Sequence, residues 1–314
     1  MLDILTVTLN PTIDLSTSVA AVQPGPKLRC APPEIDPGGG GTNVSRAVRI
    51  LGGNSRALVA VGGTTGERLL TLLNAQGIAT VALHAPGETR QSLAVTDRAT
   101  GAQFRFVLPG PEWHPADTAH ALAAVLGAAR DGGLVVLSGS QPPGVPEDFP
   151  ALLAARLQGR ARLIVDTSGA PLRALAHGAG AAPWCLRMDD EEAAELAGTP
   201  LKTVAQSAAF AEELVGRGVA DVVILARGAD GAVLASAAGR IHARSAQVAV
   251  VSKVGAGDSF VGAFVLAVAR GDSLEGALRQ GNAAASAAVM TEATRLCRAE
   301  DVARLLPECA AEAV

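Results

Sequence analysis

The chain has 314 residues, of which 49% are hydrophobic, enough to bury a large core in one α/β domain or in one domain with a small appendage. Its formal net charge of −4 and pI near 5.8 argue against a nucleic-acid binder, because such proteins usually carry a basic face. Any anion that it binds must be held by local geometry, since the overall charge is not attractive to anions.

Nothing in the sequence indicates export, membrane insertion or disulfide bonding. The first residues lack the basic and long apolar regions of a signal peptide and instead resemble a strand. No apolar run is long enough to span a bilayer, because Arg, Asp and Gly interrupt the Ala-rich stretches. We therefore expect a cytoplasmic protein with no membrane partner. The cysteines fit free thiols better than a metal site or a disulfide scaffold: Cys30, Cys185, Cys297 and Cys309.

Short apolar runs alternate with helix-like segments along most of the chain. The alternation predicts a largely parallel sheet with helices on both faces. The predicted strands are 4–9, 57–61, 134–138, 163–166 and 222–225, and the predicted helices are 43–51, 66–76, 118–130 and 191–197. Because open α/β sheets bind ligands at the carboxyl ends of their strands, functional motifs are expected just after strands.

Two segments in the first third of the chain break this alternation. Residues 15–35 are rich in Pro, Gly and small polar residues, whereas residues 92–108 alternate as a hairpin would, with a turn near Thr100. We expect both segments to pair into a small β layer over the main sheet. The chain is therefore predicted to be one domain, 1–314, with lid segments at approximately 15–35 and 90–110.

A run of four glycines, Gly38 to Gly41, precedes the predicted helix that begins at Asn43. Glycines let backbone amides approach a ligand without interference from a Cβ atom, and the Asn43 side chain can both donate to and accept from hydroxyls. A flexible loop that ends in an Asn N-cap is the alternative interpretation. The immediate start of a helix favours a binding loop.

Four charged residues around the lid segments are candidates for binding a ligand with hydroxyls and a phosphate. Asp14 follows the first strand, Lys27 and Arg29 lie in the first lid segment, and Arg90 lies at the foot of the second. A carboxylate suits hydroxyls, and Lys and Arg suit a phosphate, which Arg can bind through two hydrogen bonds. Taken singly, each of these residues is more often an ordinary surface charge.

Two further runs combine a helix start with charged residues. The run from Arg187 to Glu192 is typical of an acidic helix N-terminus, and it is equally open to a functional interpretation as carboxylates near Mg²⁺. Small residues from Gly255 to Gly257 leave backbone amides free at a helix start, where an anion is favoured. Asp258, next in sequence, is either a plain N-cap or a general base for an attacking hydroxyl.

Together these runs resemble the PfkB branch of the ribokinase-like sugar kinases over nearly the whole chain. The glycine run with Asn43 and the Gly255 to Asp258 run, at this separation, are specific as a pair. The other matching features are the Thr8 to Pro11 opening with Asp14 and the Ser138 to Gly144 run. Within the family, the likeness is closest to the bacterial minor 6-phosphofructokinases, on runs at 27–30, 104–110 and 294–297, and on Gly40 where sister enzymes usually have Lys.

The resemblance implies a Rossmann-like, mostly parallel sheet, a β lid that forms a homodimer, and Mg²⁺-ATP as phosphoryl donor to the 1-hydroxyl of fructose 6-phosphate. Asp258 would be the base, and Gly255, Ala256 and Gly257 would hold the transferring group. The implied sugar-phosphate residues are Asp14, Lys27, Arg29, Gly39, Gly40, Asn43, Arg90 and Ser140. The implied nucleotide residues are Arg187, Asp189, Ala226, Arg227, Gly228 and Gly231. The implied Mg²⁺ ligands are Asp189 and Glu192. Some relatives also bind K⁺, and the residues implied for that ion are Ser252, Val254, Ala288 and Arg295.

The nucleotide side departs from the family pattern at three places. Asp189 replaces an Asn, Ala226 replaces a Ser or Thr, and Lys253 replaces a Thr. The added charge of Asp189 would repel phosphate oxygens by roughly 3 kcal/mol at ~5 Å and an effective dielectric of ~20. Arg227 and Lys253 are candidates to offset that charge.

Three functional hypotheses follow. The first is an ATP-dependent 6-phosphofructokinase, and the second is a sister kinase of tagatose 6-phosphate or fructose 1-phosphate. The third comes from another class: a sugar-phosphate sensor that has lost catalysis through its altered nucleotide side. Turnover of fructose 6-phosphate with Mg²⁺-ATP separates the kinases from the sensor.

Overall fold

The computed structural model describes residues 1–178, 180–292 and 294–314. It has a large sheet with helices on both faces and a second, smaller sheet, which confirms the predicted α/β architecture with a β lid. Strands β1 to β14 are Ile4–Thr8, Thr12–Val19, Glu34–Gly38, Arg56–Val61, Ala79–His84, Arg90–Asp97, Gln103–Val107, Leu134–Ser138, Arg162–Asp166, Cys185–Met188, Val222–Ala226, Ala232–Ser236, Gly239–Ala243 and Ala311–Ala313. Helices α1 to α10 are Gly40–Ile50, Gly63–Ala75, Pro115–Ala128, Phe149–Leu157, Gly169–Ala176, Asp190–Ala197, Val204–Gly216, Ala256–Arg270, Leu274–Ala288 and Ala299–Leu305.

The large sheet has ten strands in the order β14-β13-β12-β11-β10-β9-β8-β1-β4-β5. Strands β5 through β11 in this order are parallel to their neighbours, and β12, β13 and β14 add antiparallel pairs at one edge. The chain leaves β1 toward β4 on one side and returns to β8 on the other. This reversal opens a crevice at the carboxyl end of β1, where open α/β sheets bind their ligands.

The alternation of side chains along β1 divides the core into two layers. Leu5 and Val7 pack among the buried residues of α3, α4 and α7, whereas Ile4 packs with α1 and α8. Helix α8 is buried along most of its length, because its small residues allow close neighbours. A Cβ atom on Gly262 would lie 2.6 Å from the Ala47 Cβ of α1. This close approach sets the N-termini of α1 and α8 side by side.

The smaller sheet has the order β3-β2-β6-β7, with β2 and β6 parallel and the outer pairs antiparallel. The hairpin predicted for residues 92–108 is the β6–β7 pair. Strand β7 is exposed at all five residues, so the outer edge of this sheet faces solvent. Among the described residues, no helix is both long and apolar enough to cross a membrane.

Candidate active site

The glycine run is held tightly against the rest of the protein. Helix α1 begins inside the run, at Gly40, after Gly39 with a φ of 105°. A Cβ atom on Gly38 would lie 2.1 Å from Asp14 Oδ2, and one on Gly40 would lie 2.4 Å from Ser138 Oγ. The helix therefore starts three residues earlier than predicted. The run is therefore not a flexible loop. Its glycines do more than let a ligand approach the backbone, because a side chain at these positions would clash with neighbouring residues.

Asp258 lies in the first turn of α8, directly beside Asn43 at the start of α1. The Asn43 Nδ2 atom donates a hydrogen bond to Asp258 Oδ2 at 2.9 Å. Burial, helped by the charge of Asp166, raises the pKa of the Asp258 carboxyl to about 6, although Asn43 and Arg187 act to lower it. The preceding Gly255 takes a left-handed conformation with a φ of 76° that favours glycine. A carboxylate with a pKa near neutrality is suited to act as a general base.

Arg187, at the carboxyl end of β10, places its guanidinium against the turn that precedes Asp258. A Cβ atom on Gly257 would lie 3.3 Å from each terminal nitrogen of Arg187. The Arg187 Nη1 atom pairs with Asp166 Oδ1 at 3.0 Å, and Asp166 Oδ2 accepts from Ser138 Oγ at 3.0 Å. A fixed cation thus lies beside backbone amides at a helix N-terminus, which is a favourable place for a phosphoryl group.

Asp166 was not predicted as a site residue, and Ser138 was named only as the first residue of the Ser138 to Gly144 run, with no role. The only available signal was their position, since each is the last residue of a strand in the parallel sheet. Such positions meet at one edge of the sheet, where ligands bind.

A cavity of about 520 Å³ brings Arg90 and Ser140 together with Asn10. The Arg90 Nε and Nη2 atoms donate to the Asn10 carbonyl at 3.3 and 3.1 Å, and Asn10 Nδ2 donates to Ser140 Oγ at 3.2 Å. Burial raises the pKa of the nearby Asp14 carboxyl to about 6, with Arg90 acting to lower it. We call this space the Arg90 cavity. It joins cationic and hydroxyl groups beside a carboxylate.

Lys27 and Arg29 lie elsewhere in this single copy. Both are exposed on the loop between β2 and β3, and the described residues that line the Arg90 cavity include neither of them. For Lys27 or Arg29 to contact a ligand in that cavity, this loop would have to move, or the same loop of a second copy would have to reach the cavity.

Asp189 and Glu192 form a reciprocal cap at the start of α6. Asp189 Oδ1 accepts from the Glu192 amide at 2.9 Å, and the Asp189 amide donates to Glu192 Oε2 at 2.8 Å. Burial and the negative charges of Asp189 and Asp166 raise the pKa of the Glu192 carboxyl to about 7, although the hydrogen bond from the Asp189 amide and the charge of Arg187 act to lower it. A cation near Glu192 would relieve this repulsion, so these oxygen donors fit Mg²⁺.

A complete metal cage is not needed for that fit. The described residues contain no group of three or more His, Cys, Asp or Glu side chains arranged to hold a metal. Mg²⁺ usually keeps several waters and is bound by one or two carboxylates together with substrate phosphates.

The residues after β11 line a separate cavity of about 540 Å³. The Arg227 Nη1 atom donates to the Leu201 carbonyl at 2.9 Å and to Ser207 Oγ, while Nη2 donates to the Lys202 carbonyl at 3.3 Å. Arg227 Nη2 also pairs with Asp230 Oδ2 at 3.3 Å, so part of the charge that the sequence suggested as an offset to Asp189 is already balanced locally. The turn that begins with Ala226 is closed by a hydrogen bond from the Gly231 amide to the Gly228 carbonyl at 3.1 Å.

The residues implied for K⁺ lie between α9 and α8. Thr291 Oγ1 lies 2.8 Å from both the Ala288 and the Arg295 carbonyl oxygens, so these two acceptors converge on the Thr291 hydroxyl, which a K⁺ bound by both of them would have to displace. The Val254 amide donates to Ser252 Oγ at 3.2 Å in the segment that leads into α8. Converging carbonyl oxygens are suitable ligands for K⁺.

Comparison with known proteins shows similarity to carbohydrate kinases over most of the chain. The model of the pfkB family carbohydrate kinases matches residues 7–301. The chain is 41% identical to ATP-dependent 6-phosphofructokinase isozyme 2 of Mycobacterium tuberculosis (98% of this chain, 90% of that protein) and 32% identical to 1-phosphofructokinase of Bacillus subtilis (97% and 98%).

Solved structures of phosphofructokinase-2 from Escherichia coli have the same fold. The complex with potassium gives a TM-score of 0.91 at 36% identity, and the complex with fructose-6-phosphate gives 0.90 at 35% identity. Each alignment covers 98% of this chain and 99% of the other. On this evidence, the chain belongs to the pfkB family of carbohydrate kinases.

Proposed function

We propose that this protein is an ATP-dependent 6-phosphofructokinase, which phosphorylates the 1-hydroxyl of fructose 6-phosphate to give fructose 1,6-bisphosphate. The observation that carries the proposal is Asp258, a half-buried carboxylate with a pKa of about 6 at the glycine turn where α8 begins. The names of the similar proteins from Mycobacterium tuberculosis and Escherichia coli support the same substrate.

In the proposed reaction, Asp258 accepts the proton of the 1-hydroxyl while the oxygen of that hydroxyl attacks the γ-phosphorus of ATP. The bond from the γ-phosphorus to the β,γ-bridging oxygen breaks, and ADP leaves. The amides of Gly255, Ala256 and Gly257, with the Arg187 guanidinium, would stabilise the charge on the transferring group. When bound through Glu192 and Asp189, Mg²⁺ would neutralise charge on the donor phosphates.

On the acceptor side, Asp14, the Gly39 backbone and Asn43 would hold sugar hydroxyls. Arg90 and Ser140 would hold the 6-phosphate in the Arg90 cavity, with Lys27 or Arg29 as added cations. This assignment is supported by the Arg90 cavity, by the electrostatic interaction of Asp14 with Arg90, and by the hydrogen bond from Asn43 to Asp258.

Gly40 favours fructose 6-phosphate over the substrates of the sister kinases. A Cβ atom there would lie 2.4 Å from Ser138 Oγ and 2.5 Å from the Gly139 amide. The Lys that is usual in 1-phosphofructokinases and tagatose-6-phosphate kinases therefore has no room unless β8 moves. Kinases of those two substrates remain the second candidate.

Ala226, Arg227, Gly228 and Gly231 would border the nucleotide, since Arg227 lines the cavity of about 540 Å³ and the other three lie within four residues of it in the chain. Ser252, Val254, Ala288 and Arg295 would hold a K⁺ beside the helix start, as the converging carbonyls of Ala288 and Arg295 suggest.

A homodimer through the lid would cover its exposed apolar edge. Phe106, Val107 and Leu108 are 54%, 59% and 55% exposed on or just after β7. Exposed apolar patches of this kind often mark protein–protein contacts. The partner would then be a second copy of this chain.

The test is steady-state turnover with Mg²⁺-ATP and three acceptors in parallel: fructose 6-phosphate, tagatose 6-phosphate and fructose 1-phosphate. We expect the highest kcat/KM for fructose 6-phosphate, with phosphorus NMR locating the new phosphate at carbon 1. A higher value for either other sugar would assign the sister activity. Micromolar binding of fructose 6-phosphate without turnover on any nucleotide would instead establish the sensor.

A further inference from the structure

Arg46 lies one helical turn after Asn43 on α1 and is buried, with only 8% of its surface exposed. Its Nη1 atom donates to Asn43 Oδ1 at 3.0 Å and to the Pro37 carbonyl at 3.1 Å. Its Nη2 atom pairs with Asp36 Oδ1 at 2.9 Å, and its Nε atom donates to Gln76 Oε1 at 3.0 Å. Contacts from every guanidinium nitrogen hold this side chain in one position.

That position decides which way the Asn43 amide faces. A guanidinium can only donate hydrogen bonds, so the atom of Asn43 that meets Arg46 must be the acceptor, Oδ1. The amino group, Nδ2, is then left to donate to Asp258. In the flipped amide, two donors would face each other at Arg46, and two acceptors would face each other at Asp258.

We propose, building on the proposed function, that Arg46 and Asp36 are positioning residues that fix the Asn43 amide in the orientation that donates to the catalytic base. Neither residue needs to touch the substrate for this role. This positioning role gives a reason, beyond helix packing, why the buried Arg46 lies next to the glycine run.

The same chain of contacts extends to the lid and to the loop after α9. Asp36 belongs to the lid strand β3, and its Oδ2 atom accepts from Thr294 Oγ1 at 2.8 Å. The neighbouring Glu34 pairs with Arg295 at 3.0 Å. The orientation of Asn43 therefore depends on three parts of the fold that meet only in the folded protein.

The pH dependence of activity can report on this role. The charged groups that act on Asp258 are Asp166 from β9, Arg187 from β10, Asp14 from β2 and Arg46 from α1. The hydrogen bond from Asn43 stabilises the ionised carboxylate and so lowers its pKa. Loss or inversion of that bond should raise the pKa of the base without removing any of the charged neighbours.

The experiment measures kcat/KM for fructose 6-phosphate between pH 5 and pH 9, because this parameter reports ionisations of the free enzyme. The variants are Arg46→Lys, Asn43→Leu and the double variant, with the exposed Arg49→Lys on the same helix as control. Lysine keeps the charge near Asp36 but has a single ammonium, which cannot span the four partners of Arg46.

We expect Arg46→Lys to move the acid-side midpoint up by roughly 1–2 pH units, the size expected for one hydrogen bond to a charged group. Asn43→Leu should move the midpoint at least as far, and the double variant no further than Asn43→Leu. Arg49→Lys should match the wild type. Non-additivity of this kind indicates that Arg46 acts through Asn43.

An unchanged midpoint in folded Arg46→Lys, with only a lower melting temperature, would overturn the proposal, as would additive shifts in the double variant. If Arg46→Lys does not fold, Asp36→Asn replaces it in the experiment, because Asn keeps the shape of Asp. A smaller upward shift of the acid-side midpoint in Asp36→Asn would support the proposal, and an unchanged midpoint would refute it. Absence of turnover in the wild type would refute the proposed function instead.

Discussion

The proposed acceptor and donor halves of the site are built in different ways. On the acceptor side, Asn43 binds Asp258 across 215 positions of sequence, and Asn10 binds Ser140 across 130. On the donor side, Asp189 caps its own helix, and Arg227 binds carbonyls of a loop that begins only 26 positions away. The acceptor half is thus preorganised by the fold, whereas the donor half satisfies its charges locally. We infer that ATP and Mg²⁺ must displace or extend those local contacts.

Apart from loss of Asp258 itself, the largest effect is expected where the two halves meet, at Arg187. Replacing it by Met should lower kcat by roughly 10²–10³-fold, the usual size for loss of one group that stabilises transition-state charge. The KM for fructose 6-phosphate should change little. Arg187→Lys should retain part of the activity and keep Asp166 paired.

Arg173→Met is the matched control for Arg187, because Arg173 pairs with Glu195 at the exposed surface. Its kcat should equal that of the wild type. A kcat within threefold of wild type in folded Arg187→Met would show that Arg187 serves only the packing of Asp166.

The preorganisation of the acceptor half can be tested at the crossing of α1 and α8. In Gly262→Ala, the new Cβ atom would lie only 2.6 Å from the Ala47 Cβ. This clash should destabilise the fold by about 1–3 kcal/mol and lower kcat. The double variant Gly262→Ala with Ala47→Gly restores the space and should recover both. Recovery of stability without kcat would argue that helix separation does not control the Asn43–Asp258 contact.

The burial of Asp258 should also appear in stability measurements. Its folded pKa of about 6 lies above the unfolded value of 3.8, so its contribution to stability is full below pH 3.8 and is lost as pH rises through 6. Asp258→Asn should therefore raise the free energy of unfolding by about 1–2 kcal/mol at pH 8, with the gain vanishing near pH 4. Denaturant titration at the two pH values measures this, with exposed Asp272→Asn as an inert control. An equal gain at both pH values would exclude an electrostatic cause.

The smallest effect is expected on the donor side, at Asp189. Asn caps a helix as well as Asp does, so Asp189→Asn should keep the fold intact while it removes one negative charge near the phosphates. The KM for Mg²⁺-ATP should fall by roughly 3- to 10-fold, less than the bare Coulomb estimate because solvent and Mg²⁺ screen the charge. Loss of activity, or a much higher Mg²⁺ requirement, would show instead that Asp189 contributes more as an Mg²⁺ ligand than it costs by repelling the phosphates.

The sequence was sufficient to predict the layout of the fold. The alternation of apolar runs and helices predicted the parallel sheet, and strand β8 was predicted with its observed ends at Leu134 and Ser138. These features depend on local periodicity, which one sequence contains. The start of α1 was placed too late, because a run of glycines normally disfavours a helix and only packing against Ser138 and Asp14 explains this one.

The contacts inside the site could not be predicted in the same way. Arg187 was expected near the nucleotide, but its position against Gly257 depends on how β10 and α8 pack. Likewise, Arg227 looked like a free cation in the sequence, whereas the structure binds it to carbonyls and Ser207. The reach and orientation of a side chain are tertiary properties, so residue type and spacing alone do not determine them.

The central claim is that Asp258 acts in catalysis at a site built to bind fructose 6-phosphate. Its most direct test measures turnover and calorimetric binding of fructose 6-phosphate in parallel for wild type and Asp258→Asn. The account predicts a fall in kcat of about 10²–10⁴-fold, as expected for a general base, with a Kd within a few-fold of wild type. A variant that turns over at the wild-type rate, or a wild type that binds the sugar without phosphorylating it, would contradict the account.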